Sequence, residues 1–301
     1  MPLSRTLKDI ESLKVQGAEL VARIALSSIR NIVQASKADT KLKLLRDIAH
    51  AKTHLENSRP TEPCLRNVLG YVLRHSKGDD VSSLKESFLG NIQSLLRELE
   101  NAESMIQKIG AQKIGNGMLI FTHCHSSTVM GILKAAKSQG KRFEVHNTET
   151  RPHLQGRTTS KELASHGIKV THYVDSAARF ALKKADLMLI GCDAFTSEGR
   201  IINKIGSELF AEAANRFQIP VYVCTTTWKF DPKTLFGFEE QIEKRARKEV
   251  WPNAPKNIVV DNHAFEIIDP SLVTAMITEI GIYRPEVLVA ELRTRSTWLF
   301  E

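Results

Sequence analysis

The feature that most constrains this chain is a change of apolar period near residue 115. Before it, apolar residues recur at helical spacing: Ile10, Leu13, Leu20 and Ile24, then Leu26, Ile29 and Val33. Asp39-Thr40 stands where a helix cap belongs, ahead of Leu42, Leu45 and Ile48. The stretch 57–63, N-S-R-P-T-E-P, breaks the pattern, because each proline disfavours helix at the residue before it. A short helix is predicted through Leu65, Val68 and Val72, a turn at 76–80, and a long helix from Leu84 toward Ile109. No strand pattern appears in this half. After Gly115, short apolar runs at 118–121, 142–145, 168–174, 187–190, 221–224 and 258–260 alternate with helix-length segments at 128–138, 160–166, 176–184 and 208–217. That alternation predicts a mainly parallel sheet covered by helices. The expected architecture is α/β: an N-terminal helical domain over 1–112, then a Rossmann-like, mainly parallel sheet domain over 113–301. The glycines of I-G-A-Q-K-I-G-N-G mark the boundary between them.

In a parallel sheet the C-terminal ends of the strands share one edge, so the residues just beyond them converge however distant they are in sequence. In chain order these are Thr122 to Ser126 (T-H-C-H-S), Thr148 to Pro152 with Gln155-Gly156, Asp175, Cys192-Asp193, and Thr225 to Lys229. The edge thus gathers a thiol, carboxylates, an arginine and a lysine. Nearby, Asn203 to Gly206 (N-K-I-G) places Lys204 before a helix N-terminus. Each residue also has a plain structural reading. Cys124 reads either as an inert buried apolar residue or as a reactive thiol. His123 and His125 flank it on an extended chain, so the three side chains alternate in direction and are poorly disposed to chelate one ion. Asp175 precedes Ser176 and a helix, which favours capping. Asp193 is open between turn-former and acid, and Arg151 between turn-former and phosphate ligand. Lys204 and Lys229 are open between surface charges and ligands.

Charge and cysteine usage narrow the classes. A net charge of +8 over 301 residues suits an anionic ligand, and the basic residues are dispersed rather than packed in an arm. This favours local phosphate pockets over a nucleic-acid track. The four cysteines, Cys64, Cys124, Cys192 and Cys224, show no C-x-x-C spacing, which argues against a zinc site or a disulfide framework and fits a reducing cytoplasm. No signal-peptide core and no bilayer-spanning apolar run is visible. The glycines match neither G-x-G-x-x-G nor G-x-x-x-x-G-K-[ST], so a nucleotide cofactor held in the usual way is not expected.

Taken together, T-H-C-H-S (122–126), E-T-R-P-H-L-Q-G (149–156), H-G-I-K-V-T-H-Y-V-D-S-A-A-R (166–179), G-C-D-A-F (191–195), I-N-K-I-G-S (202–207) and T-T-W-K-F (226–230) resemble the superfamily of sugar-phosphate isomerases and translation-factor regulatory subunits. Its branches are ribose 1,5-bisphosphate isomerase, methylthioribose 1-phosphate isomerase, and the α, β and δ subunits of initiation factor 2B. The resemblance extends to Q-G-A-E (16–19) and S-R-P-T-E-P (58–63). Isomerases of this kind carry a cysteine in the first strand-end motif and an aspartate after the fourth strand, and this chain has Cys124 and Asp193 there. T-H-C-H-S and W-K-F are similar to the ribose 1,5-bisphosphate branch. One departure is Gln16, where the family usually has arginine. Glutamine offers only a neutral hydrogen bond, so either a residue such as Arg23 compensates or the activity is altered.

The resemblance implies conversion of ribose 1,5-bisphosphate to ribulose 1,5-bisphosphate, with Cys124 accepting a proton and Asp193 donating one, and no cofactor or metal. A thiol base needs a lowered pKa, which a helix N-terminus and nearby cations would supply, and a carboxyl donor needs a raised one. By motif match, the substrate contacts are Gln16, Gly17, Ala18, Glu19, Arg59, Ser126, Arg151, Gln155, Asn203, Lys204 and Lys229. The implied partners are a bisphosphorylated sugar, an AMP effector, and further copies of the chain in a dimer or hexamer, with neither nucleic acid nor membrane among them. The readings from another class are a non-catalytic regulatory subunit and, among enzymes, the methylthioribose branch.

Overall fold

The computed structural model describes residues 3–12, 14–15, 17–239 and 242–300. They fall into two compact units. The first takes the described residues up to Asn101 together with Trp228–Phe230. Its helices are α1 (Leu3–Glu11), α2 (Ala18–Ala35), α3 (Lys41–Ser58), α4 (Pro63–His75) and most of α5 (Val81–Ala111). Thr40 caps α3 as expected, its hydroxyl accepting from the Lys43 N–H at 3.3 Å. Pro63 opens α4, where its missing N–H costs nothing. The Asp80 carboxylate accepts from the Ser83 N–H at 2.7 Å, starting α5. Of the predicted apolar faces, Ile10, Leu26, Ile29, Val33, Ile48, Leu65, Val68 and Val72 are fully buried, whereas Leu20, Leu42 and Leu45 are exposed, and α3 instead buries Leu44, Ile48, Ala51 and Leu55. The Asn67 side-chain amide donates to the carbonyls of Trp228 (2.9 Å) and Phe230 (2.7 Å), which ties that short segment into the helical unit.

The second unit holds the sheet. Its strands are β1 (Leu119–Thr122), β2 (Glu144–Thr148), β3 (Lys169–Tyr173), β4 (Leu187–Ile190), β5 (Ala194–Phe195), β6 (Ile201–Lys204), β7 (Val221–Cys224), β8 (Phe265–Ile268), β9 (Ala275–Thr278) and β10 (Gly281–Tyr283). Among the described residues they make a seven-stranded sheet in the order β10-β9-β7-β4-β1-β2-β3 and a small sheet β5-β6-β8. Neighbours in the large sheet run parallel except β10, and the small sheet is antiparallel. The helices are α6 (Ser127–Ser138), α7 (Gln155–Ser165), α8 (Ala178–Leu182), α9 (Ser207–Arg216) and α10 (Pro285–Arg295). Every residue of β4 is buried, so it reads as an unbroken apolar run. β3 lies at the sheet edge, and its outward Lys169 and His172 are exposed there.

One expected strand is corrected. Residues 258–260 lie in an irregular stretch, and Val259 is 92% exposed. Three β-branched residues suit a strand only where a neighbour pairs with them, and among the described residues none does. The place beside β7 belongs to β9, with Tyr222 opposite Ala275 and Cys224 opposite Ile277. Helix α7 also starts earlier than the apolar pattern indicated, at Gln155.

The α7 start depends on Gly156. A Cβ there would lie 1.7 Å from the Thr148 carbonyl oxygen, so β2 and α7 approach closely only because the residue is glycine. Gly156→Ala should therefore destabilise the protein by about 2 kcal/mol or more, measured by urea unfolding. Gly90→Ala, at a helical position with open space around it, should leave stability unchanged or raise it by up to about 1 kcal/mol.

Candidate functional site

β1 pairs with both β2 and β4, and the chain order reverses between β1 and β4. A sheet opens a crevice for ligands at such a reversal, beyond the strand C-termini. The turns that follow these two strands carry Cys124 and Asp193. Gly191 keeps the turns close, since a Cβ there would stand 2.7 Å from the Ser126 hydroxyl. Ser126 itself caps α6, accepting from the Val129 N–H at 3.4 Å.

Cys124 has φ 66°, a left-handed backbone that side chains other than glycine seldom adopt. Two threonines hold it there. The Thr150 hydroxyl accepts from the Cys124 N–H at 3.0 Å, and the Thr159 hydroxyl donates to the Cys124 carbonyl at 2.8 Å. Such a backbone costs about 1–3 kcal/mol. Each hydrogen bond returns about 1 kcal/mol net, so the pair is of the size needed to hold it. Thr150 is fixed in turn by Asp175, whose carboxylate accepts from the Thr150 N–H (2.8 Å) and the Arg151 N–H (2.7 Å). The helix-capping role expected for Asp175 is therefore corrected. β2 and β3 are parallel neighbours, so the carboxylate at the end of one reaches the turn at the end of the other.

The two histidines are engaged by the protein. The Ile205 carbonyl can only accept, so His123 donates to it from Nε2 (2.9 Å) and receives the Thr148 hydroxyl at Nδ1 (2.6 Å). Burial chiefly lowers the pKa of this imidazole to about 4. His125 contacts the Thr159 hydroxyl through Nδ1 at 3.0 Å and faces Glu162 through Nε2 at 3.8 Å. Lys134 also pairs with Glu162.

Asp193 is half-buried, and its N–H donates to the Ile202 carbonyl at 2.9 Å, which ties the turn after β4 to β6. Asn203, buried in β6, donates to the Ser207 hydroxyl at 2.9 Å. Lys204 ends β6 with its ammonium 4.6 Å above the Phe265 ring. The N-terminus of α9 beyond it is occupied, because the Glu266 carboxylate accepts from the Glu208 N–H at 2.7 Å. Lys204, Asp193 and Asp175 all lie close enough to Cys124 to act on its thiol. Burial is the largest influence and pushes the thiol up to about 11, against the downward pull of Lys204 and of the His125 N–H, with Asp193 and Asp175 adding to the rise. The expected lowering of this pKa is thus reversed: desolvation outweighs the one ammonium. Thr226, beyond β7, has a buried hydroxyl without a hydrogen-bond partner among the described residues.

The other expected residues fall as follows. Arg151 is exposed and donates to the Val250 carbonyl at 3.2 Å, and Gln155 begins α7. In the helical unit, Gln16 lies outside the described residues. Gly17 (φ 92°) precedes α2, followed by buried Ala18 and Glu19. Arg23, one candidate to compensate for Gln16, is bound to Glu19 at 2.7 Å and to Glu100 at 3.3 Å. Arg59 pairs with buried Glu62, its Nε at 2.9 Å, and Lys229 is buried. Thr150 was visible in the E-T-R-P motif without a role. Thr159 gave no signal, because a threonine just ahead of a helical stretch looks like any other until its partner across the sheet edge is known.

His123 gives the site a pH signature. Its folded pKa of about 4 lies below the ordinary 6.5, so the unfolded chain binds the proton more readily. The stability this contributes is whole above pH 6.5 and is lost as pH falls toward 4. It amounts to at most about 3 kcal/mol. Urea unfolding at pH 7 and pH 4.5 should show a loss of this order in the wild type and a smaller loss in His123→Gln.

The chain matches the model of the initiation factor 2 subunit family over residues 14–285. It is 36% identical over 302 residues to the ribose 1,5-bisphosphate isomerase of Pyrococcus furiosus, covering 97% of this chain and 93% of that protein. It is 38% identical over 279 residues to the ribose 1,5-bisphosphate isomerase of Archaeoglobus fulgidus, covering 92% and 88%. Among solved structures it superposes on a translation initiation factor eIF-2B of Pyrococcus horikoshii with a TM-score of 0.82 at 26% identity, covering 95% of this chain and 98% of that one. The chain belongs to the initiation factor 2 subunit family.

Proposed function

We propose that this protein is an aldose–ketose isomerase that converts ribose 1,5-bisphosphate to ribulose 1,5-bisphosphate. The observation that carries the reading is the pair Cys124 and Asp193, set on the turns after adjacent strands at the sheet reversal, with Lys204 close to the thiol. The names of the relatives support the substrate class. In the proposed reaction the ring opens and O4 takes up a proton. C2 loses its hydrogen as a proton to Cys124. C1 gains a proton, and O2 loses one as the carbonyl forms, so C1 is reduced, C2 is oxidised and no external redox partner enters.

The raised thiol adds a requirement to this scheme. A thiol near pKa 11 is protonated at neutral pH, so Cys124 must give up its proton before it can accept one from C2. The Asp193 carboxylate beside it is a suitable acceptor. That transfer leaves a thiolate base and a carboxylic acid, the two forms the reaction needs. The place of the activity in AMP and nucleoside salvage, activation by AMP and assembly into dimers or hexamers belong to the same proposal and rest on the family resemblance.

The purified protein, assayed with and without AMP, should form ribulose 1,5-bisphosphate in preference to turning over methylthioribose 1-phosphate. Cys124→Ser and Asp193→Asn should each lower kcat by about 10²–10⁴-fold with an unchanged thermal midpoint. Preferential turnover of methylthioribose 1-phosphate would reassign the substrate. Inactivity on both, together with capture of a translation factor, would replace the proposal with a regulatory-subunit role.

A further inference from the structure

We propose that Thr159 and Thr150 are positioning residues for the Cys124 thiol. This rests on the reading of Cys124 as a proton-transfer residue. The backbone at Cys124 is left-handed, and its N–H and carbonyl are bound by hydroxyls from the loop and helix that follow β2. Rotation of that peptide toward an ordinary conformation would change the placement of the Sγ relative to Asp193 and Lys204.

Thr159 does not behave as a helical threonine usually does. Thr53 in α3 shows the common pattern, returning its hydroxyl to the carbonyl four residues earlier, at 3.0 Å to Ala49. Thr159 instead sends its hydroxyl across to a residue 35 positions away. Only 1% of it is exposed, so water does not replace that bond. The proton order is determined by the acceptor. The Cys124 carbonyl accepts the Thr159 hydroxyl hydrogen, so the Thr159 oxygen accepts from His125 Nδ1 in turn. His125 Nε2 then points toward Glu162 on the wall of a cavity of about 360 Å³, also lined by Lys134 and Gln107. A chain of two hydrogen bonds therefore joins that cavity wall to the backbone of the thiol residue.

The test compares Thr159→Val with Thr159→Ser, and uses Thr150→Val as an independent second variant at the other end of the clamp. Alkylation of Cys124 by iodoacetamide is followed by mass spectrometry from pH 7 to 11, together with kcat and KM on ribose 1,5-bisphosphate. The wild type should alkylate slowly, its rate rising about tenfold per pH unit toward pH 11. Thr159→Val and Thr150→Val should each alkylate at least about tenfold faster at pH 8 and lose at least about tenfold in kcat, with KM changed less than about threefold. Thr159→Ser should restore both readouts to near wild type. Wild-type alkylation profiles in both valine variants would overturn the proposal, as would failure of Thr159→Ser to restore the profile. If the wild type alkylates as described but makes no ribulose 1,5-bisphosphate, the isomerase reading fails and the alkylation arm still decides the clamp. Should one valine variant not fold, the other decides by the same criteria.

Discussion

The parallel pairing of β1 with neighbours on both sides is the constraint on which the sheet unit depends. From β1 the chain builds outward to β2 and β3, then returns to the other flank of β1 with β4, β7 and β9. Burial of both faces keeps β4 inside the sheet, since a strand apolar at every position is stable only with covered faces and two paired edges. The reversal makes the turns after β1 and β4 adjacent. Polar side chains at that edge can be half-buried without disrupting the core below, where Phe121 packs edge-on against Phe210. The small sheet adds a third wall, because the Asp193 N–H bonds directly to β6 and draws Lys204 toward the thiol.

Much of this was legible in the residues. The change of period separated strandless helices from alternating strands and helices, and β4 and β7 appear at 187–190 and 221–224 as expected. The convergence of Cys124, Asp175 and Asp193 follows from parallel strands alone. The neighbour relations were not legible. That β1 touches β4 rather than β7 depends on strand order, which no local pattern encodes. β6 was hidden because Ile201–Lys204 is short and pairs with β8, more than sixty residues later in the chain. The 258–260 run misled for the converse reason, having strand composition and no partner. Asp175 was misjudged because a cap is a local relation, whereas its carboxylate serves the turn of a neighbouring strand.

The thiol shows how burial and charge compete at such an edge. Reading cations from the sequence favoured a lowered pKa, since Lys204 and a helix N-terminus both attract a thiolate. The folded chain spends that helix end on Glu266 and places two carboxylates near the sulfur. The remaining ammonium does not offset desolvation. A group in this state is a poor base by itself, but it shares its surroundings with a carboxylate. Moving the proton from the thiol to that carboxylate would leave the net charge unchanged and remove the carboxylate's repulsion of the thiolate, while the thiolate itself stays buried.

Backbone strain falls in the turns around the thiol. Among the described residues, four non-glycine positions have positive φ: Cys124, Thr150, Leu154 and Gln218. Three of the four lie in the turns after β1 and β2. Strain at two unrelated loops would indicate independent local accidents. Here the strained residues are bonded to one another, with Cys124 N–H on the Thr150 hydroxyl and the Thr150 backbone bonded to the Leu154 N–H at 2.7 Å. At about 1–3 kcal/mol each, three such residues cost a sizeable part of a domain's stability. A chain retains that cost only where the surrounding structure over-determines the conformation. Here that structure is Asp175 on the Thr150–Arg151 turn, Thr159 on Cys124, and Gly156 letting α7 approach β2. The left-handed thiol is thus a property of the β2–α7 connection as much as of its own loop.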